Sequence, residues 1–188
     1  NASAGSNGYT GAVALGADSQ SLYNSVALGR GATSLATGGL AVGGYASATQ
    51  ASATAVGANS NASYNATALG TSATASATDS VALGRGSVAS VANTVSVGTV
   101  GGERQIVNVA AGKQDTAAVN LKQLKDAGLT TDTSGNVTNA FVAYDDSTKA
   151  KISLGGGVAG TTITNVNAGA LSATSMDAVN GSQLFATN

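Results

Sequence analysis

The stretch Asn24-Ser25-Val26-Ala27-Leu28-Gly29 decides the fold, because its last four residues recur along the first hundred positions. The copies are Val13-Ala14-Leu15-Gly16, Val26-Ala27-Leu28-Gly29, Leu40-Ala41-Val42-Gly43, Thr54-Ala55-Val56-Gly57, Thr67-Ala68-Leu69-Gly70, Val81-Ala82-Leu83-Gly84 and Val95-Ser96-Val97-Gly98. Successive glycines stand 13 or 14 residues apart, a regularity that a disordered Gly/Ser/Ala tract has no reason to keep. Five residues before each glycine comes Gly11, Asn24, Gly38, Ser52, Asn65, Asp79 or Asn93, residue types that favour tight turns or accept positive φ. Each unit therefore reads as turn, strand, turn.

Side chains alternate along a strand, so Val26 and Leu28 point one way while Ser25 and Ala27 point the other. Both faces are small or apolar, which predicts burial on both sides. The third and fifth residues past each glycine are small throughout, as in Ala32 and Ser34 or Ala73 and Ala75, and predict the close-packed inner face of a second strand. Its fourth and sixth residues are mostly polar (Ser47 and Thr49, Asn61 and Ser63), with Leu22, Leu35 and Val88 as exceptions, and predict a face turned to water. A coil of this length has about 45 Å of contour, enough for two short strands and two turns. The expected fold is mainly β, a narrow parallel solenoid whose coils stack at about 4.8 Å. One face of the first strand then packs on the second strand, and the other needs a partner. A second copy of the chain supplies it most simply, through the row Leu15, Leu28, Val42, Val56, Leu69, Leu83 and Val97, each side chain contributing about 1.5 to 3 kcal/mol when buried.

Composition removes most other classes. The 188 residues include no Cys, Pro, His or Trp and seven aromatics, a poor supply for an ordinary globular core. The commonest metal ligand, the usual general base and a disulfide framework are all missing, so no catalytic, cofactor or metal site is expected and the chain is not read as an enzyme. Net charge is −1 and no basic run exists, which argues against nucleic acid. No stretch approaches a membrane helix, so direct membrane insertion is not expected. An ice-binding solenoid would need aligned Thr-x-Thr rows, and the outward positions Gln20, Thr33, Ser47, Asn61, Thr74 and Val88 vary. Gly29-Arg30-Gly31 and Gly84-Arg85-Gly86 lack the following helix of a phosphate loop, and Asp145-Asp146 reads as a solvated turn.

After Val100 the glycine period stops and charges become denser. Two segments match: Asn108-Val109-Ala110-Ala111-Gly112 with Asn165-Val166-Asn167-Ala168-Gly169, and Ala118-Val119-Asn120-Leu121-Lys122-Gln123-Leu124 with Ala178-Val179-Asn180-Gly181-Ser182-Gln183-Leu184, the second spacer being three residues longer. Asp115 and Ser175 are the expected N-caps of two helices, the first stopping near Gly128. Between them 139–154 predicts two strands around an Asp145-Asp146-Ser147-Thr148 turn, with Gly155-Gly156-Gly157 as exit. The expected organisation is a head over 1–100, a neck and helix start over 101–128, a connector with a β-hairpin over 129–164, and a second neck with helix start over 165–188.

Asn24-Ser25-Val26-Ala27-Leu28-Gly29 and Asp79-Ser80-Val81-Ala82-Leu83-Gly84 resemble the head repeat of the YadA-like trimeric autotransporter adhesins. Arg104 and Gln105 through Asp115, Val119, Asn120, Gln123 and Leu124 are similar to the family's neck, and Val179, Asn180, Gln183 and Leu184 to a second one. Ala117 stands where the neck commonly has Asp. The resemblance implies a left-handed parallel β-roll, a homotrimer about one axis, and necks that narrow the head into a coiled-coil stalk. It further implies an exposed passenger at the bacterial outer-membrane surface, of which this chain is an internal piece. The expected function is attachment to a host cell-surface or extracellular-matrix protein or glycan, with Tyr23 and Tyr64 as a candidate ligand surface beside the turns. The alternative is a spacer or self-association module whose parent protein binds elsewhere.

Overall fold

The repeat folds as its spacing predicts, into a parallel β-solenoid. The computed structural model describes residues 1–5, 11–139, 142, 144–155 and 157–187, in two compact units, Asn1–Val107 and Asn108–Asn188. In chain order the strands are β1 (Ser3–Ala4), β2 (Val13–Leu15), β3 (Gln20–Ser21), β4 (Val26–Leu28), β5 (Thr33–Ser34), β6 (Leu40–Val42), β7 (Thr54–Val56), β8 (Asn61–Ala62), β9 (Thr67–Leu69), β10 (Thr74–Ala75), β11 (Val81–Leu83), β12 (Val88–Ala89) and β13 (Val95–Ser96). The tetrapeptide strands form one seven-stranded parallel sheet in the order β13-β11-β9-β7-β6-β4-β2. The shorter strands form a second wall, β1-β3-β5 and β8-β10-β12, joined through single bridges from Thr33 to Ser47 and Ser47 to Asn61.

Register runs straight through the stack. Ala14, Ala27, Ala41, Ala55, Ala68, Ala82 and Ser96 stand above one another, and the flanking Val, Leu and Thr positions do likewise. Backbone bonds tie coil to coil, for example Gly29 N–H to Leu15 C=O at 2.8 Å and Thr33 N–H to Ala46 C=O at 2.8 Å. Every buried residue among those described is Ala, Ser or Gly. A side chain larger than Ser does not fit between walls this close, which is why the third and fifth positions past each glycine are uniformly small.

The turns obey the residue types that predicted them. Asn24, Ser52, Asn65, Asp79 and Asn93 all lie between +52° and +59° in φ, with Gly11 and Gly38 completing the column. A second left-handed column, two residues past the repeat glycine, holds Asp18, Gly31, Tyr45, Asn59, Ser72 and Gly86. The repeat glycines answer to a stricter constraint. A Cβ on Gly57, at φ +133°, would stand 2.4 Å from the carbonyl carbon of Gly70 in the next coil, so backbone stacks directly on backbone there.

The second unit contains two short helices, α1 (Leu121–Asp126) and α2 (Gly181–Phe185), and a 3-10 turn at Gly157–Ala159. The N-caps are Asn120 and Asn180, not Asp115 and Ser175. Each Asn accepts the backbone N–H three residues on, while Gln123 or Gln183 reaches back to the Asn backbone N–H, a reciprocal arrangement that outcompetes the earlier polar residues. Asp115 instead sits in a turn closed by Ala117 N–H to Gln114 C=O at 2.9 Å. The first helix ends as expected before Gly128, which takes φ +114°.

The connector differs from its prediction too. Its antiparallel bridge pairs Thr131 with Val137, around a turn whose Asp132 carboxylate accepts from the N–H groups of Ser134 and Asn136. Around Asp145–Thr148 the turn forms and Asp145 N–H donates to Lys151 C=O at 2.9 Å, but no strand pairs among the described residues of 139–154. A lone two-stranded hairpin without an apolar face to pack on is marginal, which accounts for the difference. Residues 140, 141, 143 and 156 of that prediction lie outside the described ones.

Candidate functional site

Three surfaces carry the residues singled out by sequence. The first is the outward side of the long sheet. Leu15, Leu28, Val42, Val56, Leu69 and Leu83 pair residue by residue in one column, beside a second column of Val13, Val26, Leu40, Thr54, Thr67, Val81 and Val95. Between them Ala27, Ala41, Ala55, Ala68 and Ala82 are sealed on the inward side, but these side chains are not, with Leu15 69% exposed and Leu69 and Leu83 each 44% exposed. An aligned apolar stripe therefore faces away from the chain's own interior. Val97 departs from the column, because β13 pairs only through Val95 and Ser96 and the following Gly98 C=O instead accepts Val88 N–H.

The second surface is the outside of the short-stranded wall. Ser3, Gln20, Thr33, Ser47, Asn61, Thr74 and Val88 form one in-register row, polar except at its end. Tyr23 and Tyr64 lie at the turns flanking this wall, three coils apart, a separation of about 14 Å at the strand spacing. The structure does not bring them together. Tyr64 is 48% exposed, and Tyr23 is half-buried at φ +53°. A third aromatic escaped the sequence reading: Tyr45, on the opposite corner, is 54% exposed and lies 5.5 Å from the guanidinium of Arg30. Its signal was the Arg30 and Tyr45 pair, fifteen residues apart and hence one coil plus one residue.

The third surface is the pair of necks. Gln123 clasps Gly112 with both ends of its amide, Oε1 accepting from Gly112 N–H at 2.8 Å and Nε2 donating to Gly112 C=O at 3.0 Å. Asn120 adds Nδ2 to Val109 C=O at 2.9 Å. Gln183 and Asn180 repeat this on Gly169 (2.9 and 2.7 Å) and on Val166 (3.0 Å), so the three extra residues of the second spacer leave the clasp unchanged. The side-chain amide imitates a strand partner, which satisfies backbone groups where no strand exists. Asp177 accepts Ala170 N–H at 3.0 Å, a bond for which Ala117 has no counterpart in the first neck. Val119 and Leu124, with Val179 and Leu184, remain exposed on both necks. Gln105 and Asp115 are exposed as well.

Arg104 is held within its own chain, donating to Ser87 Oγ at 2.7 Å and to the carbonyls of Val97 and Arg85. Glu103 turns aside to accept Gly101 N–H at 2.9 Å, and its own backbone N–H, followed by that of Gly101, keeps its carboxyl below the usual range. The Asp132, Asp145 and Asp146 carboxyls are lowered too, chiefly by the Asn136 side chain, the Ser153 hydroxyl and the Thr148 hydroxyl respectively. These are loop-closing acids. No group of three His, Cys, Asp or Glu side chains converges among the described residues, nor is any helix there long and apolar enough to cross a membrane.

The YadA head domain repeat matches residues 23–46, 63–87 and 75–99, and the coiled stalk of trimeric autotransporter adhesin matches 105–147 and 162–188. The trimeric autotransporter adhesin AtaA of Acinetobacter sp. (strain Tol 5) is 48% identical over 85 residues, which is 45% of this chain and 2% of that relative. Among solved structures, the collagen-binding domain of the Yersinia adhesin YadA is 34% identical, with 62% of this chain and 75% of that one covered at a TM-score of 0.48. A C-terminal stalk of AtaA from Acinetobacter sp. Tol 5, fused to GCN4 adaptors, is 40% identical over 49% of this chain and 28% of that one, at a TM-score of 0.26.

Proposed function

Because the chain belongs to the trimeric autotransporter adhesins, with head repeats followed by stalk segments along most of its length, we propose that it is an attachment module displayed at the bacterial cell surface. Three copies pack through the Val and Leu stripe of the long sheet, and the polar outer wall is left to meet a host protein or glycan. The observation that carries this reading is the sidedness of the solenoid. One chain seals its Ala and Ser interior by itself yet leaves an aligned apolar column unburied. Within the same reading the chain performs no catalysis, and Glu103, Asp132, Asp145 and Asp146 serve to close loops. The chain spans a small fraction of its curated relative, so it stands for one head and two necks of a longer fibre.

The stripe is tested by absolute mass from light scattering. A mass near three times 17.8 kDa is expected for the parent, and a shift towards the monomer for a Leu28→Ser, Leu69→Ser double variant, whose interior is untouched. A parent that is monomeric, or a double variant that stays trimeric, overturns the shared-stripe reading. Attachment is measured separately, as binding of the trimer to immobilised matrix proteins, collagen among them, with and without Tyr23→Ala and Tyr64→Ala. Unchanged binding in the double variant removes both tyrosines from the contact surface. A trimer that binds none of the matrix proteins leaves the spacer reading in its place.

A further inference from the structure

The last coil does not close like the others. In each earlier corner, two backbone bonds lock one coil to the next: Gly70 and Gly84 N–H donate to Val56 and Leu69 C=O, both at 2.7 Å, and Ser72 and Gly86 N–H donate to Ala58 and Thr71 C=O at 2.8 and 2.9 Å. Continued once more, the pattern would bring Gly98 N–H to Leu83 C=O and Val100 N–H to Arg85 C=O. Instead Leu83 C=O accepts from Ser87 Oγ at 2.7 Å, and Arg85 C=O accepts from the Arg104 guanidinium.

The chain has cut the corner. Val88 N–H donates at 2.9 Å to the carbonyl of Gly98 itself, whereas Thr74 N–H, one coil earlier, donates to Ser87, three residues past its repeat glycine. Three residues of the corner are skipped, and something else must meet the groups they would have covered. At Gly70 the position of a Cβ is crowded by the Gly84 backbone at 2.5 Å; at Gly84 the nearest atom is Nη1 of Arg104 at 3.3 Å.

We infer that Arg104 is the residue that ends the solenoid, its guanidinium standing in for the missing corner of the seventh coil. A planar fork with several N–H donors in fixed directions can serve Ser87 Oγ, Val97 C=O and Arg85 C=O together, which a lysine ammonium cannot do in the same geometry. The exposed edge of a sheet is a template for another strand. Arg104 covers the corner of that edge with a charged, non-strand group and hands the chain to the neck. An ion pair with Glu103 of another copy is the competing role, and a Glu103→Gln variant distinguishes the two.

Amide hydrogen exchange on the full chain tests this, comparing Arg104→Ala, Arg104→Lys and Glu103→Gln with the parent. Arg104→Ala is expected to raise exchange by about tenfold or more across 84–98, the cost of leaving acceptors uncovered, with coils over 20–70 unchanged. Arg104→Lys restores only part of the protection, and Glu103→Gln resembles the parent. Unchanged exchange over 84–98 in Arg104→Ala overturns the proposal, as does Glu103→Gln reproducing the Arg104→Ala pattern. If Arg104→Ala fails to fold, Arg104→Lys decides: loss confined to 84–98 supports the end-stop, and equal loss through every coil refutes it.

Discussion

The two units of the chain solve the same problem in opposite ways. In Asn1–Val107 backbone groups are satisfied by neighbouring coils, and the Ala and Ser side chains between the walls are fully enclosed. In Asn108–Asn188 no described residue is buried, and side-chain amides and carboxylates do the satisfying: Gln123 and Gln183 on glycines, Asp132 and Asp145 on loop N–H groups. The first unit owns its interior; the described residues of the second show local clasps and exposed apolar side chains. Repetition makes the difference, since a coil that meets an identical coil finds every donor facing an acceptor.

That contrast breaks most visibly if the stacking itself is disturbed. Gly57→Ala places a methyl group 2.4 Å from the Gly70 carbonyl carbon, on a backbone at φ +133°. Destabilisation of the head by about 3 kcal/mol or more is expected from strain plus overlap. Thermal unfolding followed at Tyr45 or by exchange in the coils reads it, while exchange at Gly112 and Gly169 stays as in the parent. Equal loss in both units would mean that they are not independent.

The reverse experiment strikes a clasp. Gln123→Ala removes the bidentate hold on Gly112 and half of the capping box, for a local cost of about 1 to 2 kcal/mol. Faster exchange is expected at Gly112 and through 120–124, with the second neck and the head unaffected. Gln183→Ala should mirror the effect at Gly169. If either variant altered both necks, the clasps would be coupled rather than local.

A smaller change sharpens the account of the head. Ser34 Oγ is buried without a hydrogen-bond partner, while Ser21, its counterpart one coil earlier, donates to Ser25 C=O, as the inner-face Ser60 and Ser87 do to Gly57 and Leu83 C=O. Coil three differs because Gly39 stands beside it, and a Cβ there would lie 2.4 Å from that hydroxyl. Ser34→Ala is expected to stabilise the head by about 1 kcal/mol, read as a higher melting temperature. A lower one would show that the hydroxyl is engaged.

How much of this was legible from sequence follows the same divide. The glycine beat located the strands, their inward and outward faces and the left-handed turn column, because a repeat reports its environment several times over. The neck matches located both clasps as segments, and the family resemblance marked the missing Asp at Ala117, but not which atoms meet: Asp115 and Ser175 looked like caps until Asn120 and Gln123 formed a reciprocal pair. Arg104 read as a neck residue, and its engagement with Ser87 and Arg85 joins positions 17 and 19 apart, a relation no single copy announces. The connector was misread because Asp145-Asp146-Ser147-Thr148 and Asp132-Thr133-Ser134-Gly135-Asn136 are equally good turns, and nothing periodic chooses between them.

Acid separates the units most gently. The folded carboxyl of Asp132 is lowered by the Asn136 side chain first and by backbone N–H groups after it, so the loop is favoured by the ionised form. Its contribution is present above the ordinary value of about 4 and is lost as pH falls through the still lower folded value. The group is exposed, so the effect stays within its own turn. Amide shifts of Ser134 and Asn136 are expected to move together on titration below about pH 4, and the Thr131 to Val137 bridge to loosen with them. The solenoid coils from 33 to 76 carry no acidic side chain, and their amides should hold still over the same range. Movement there would mean that the head's stability depends on charge after all, against a fold whose bonds run almost entirely from backbone to backbone.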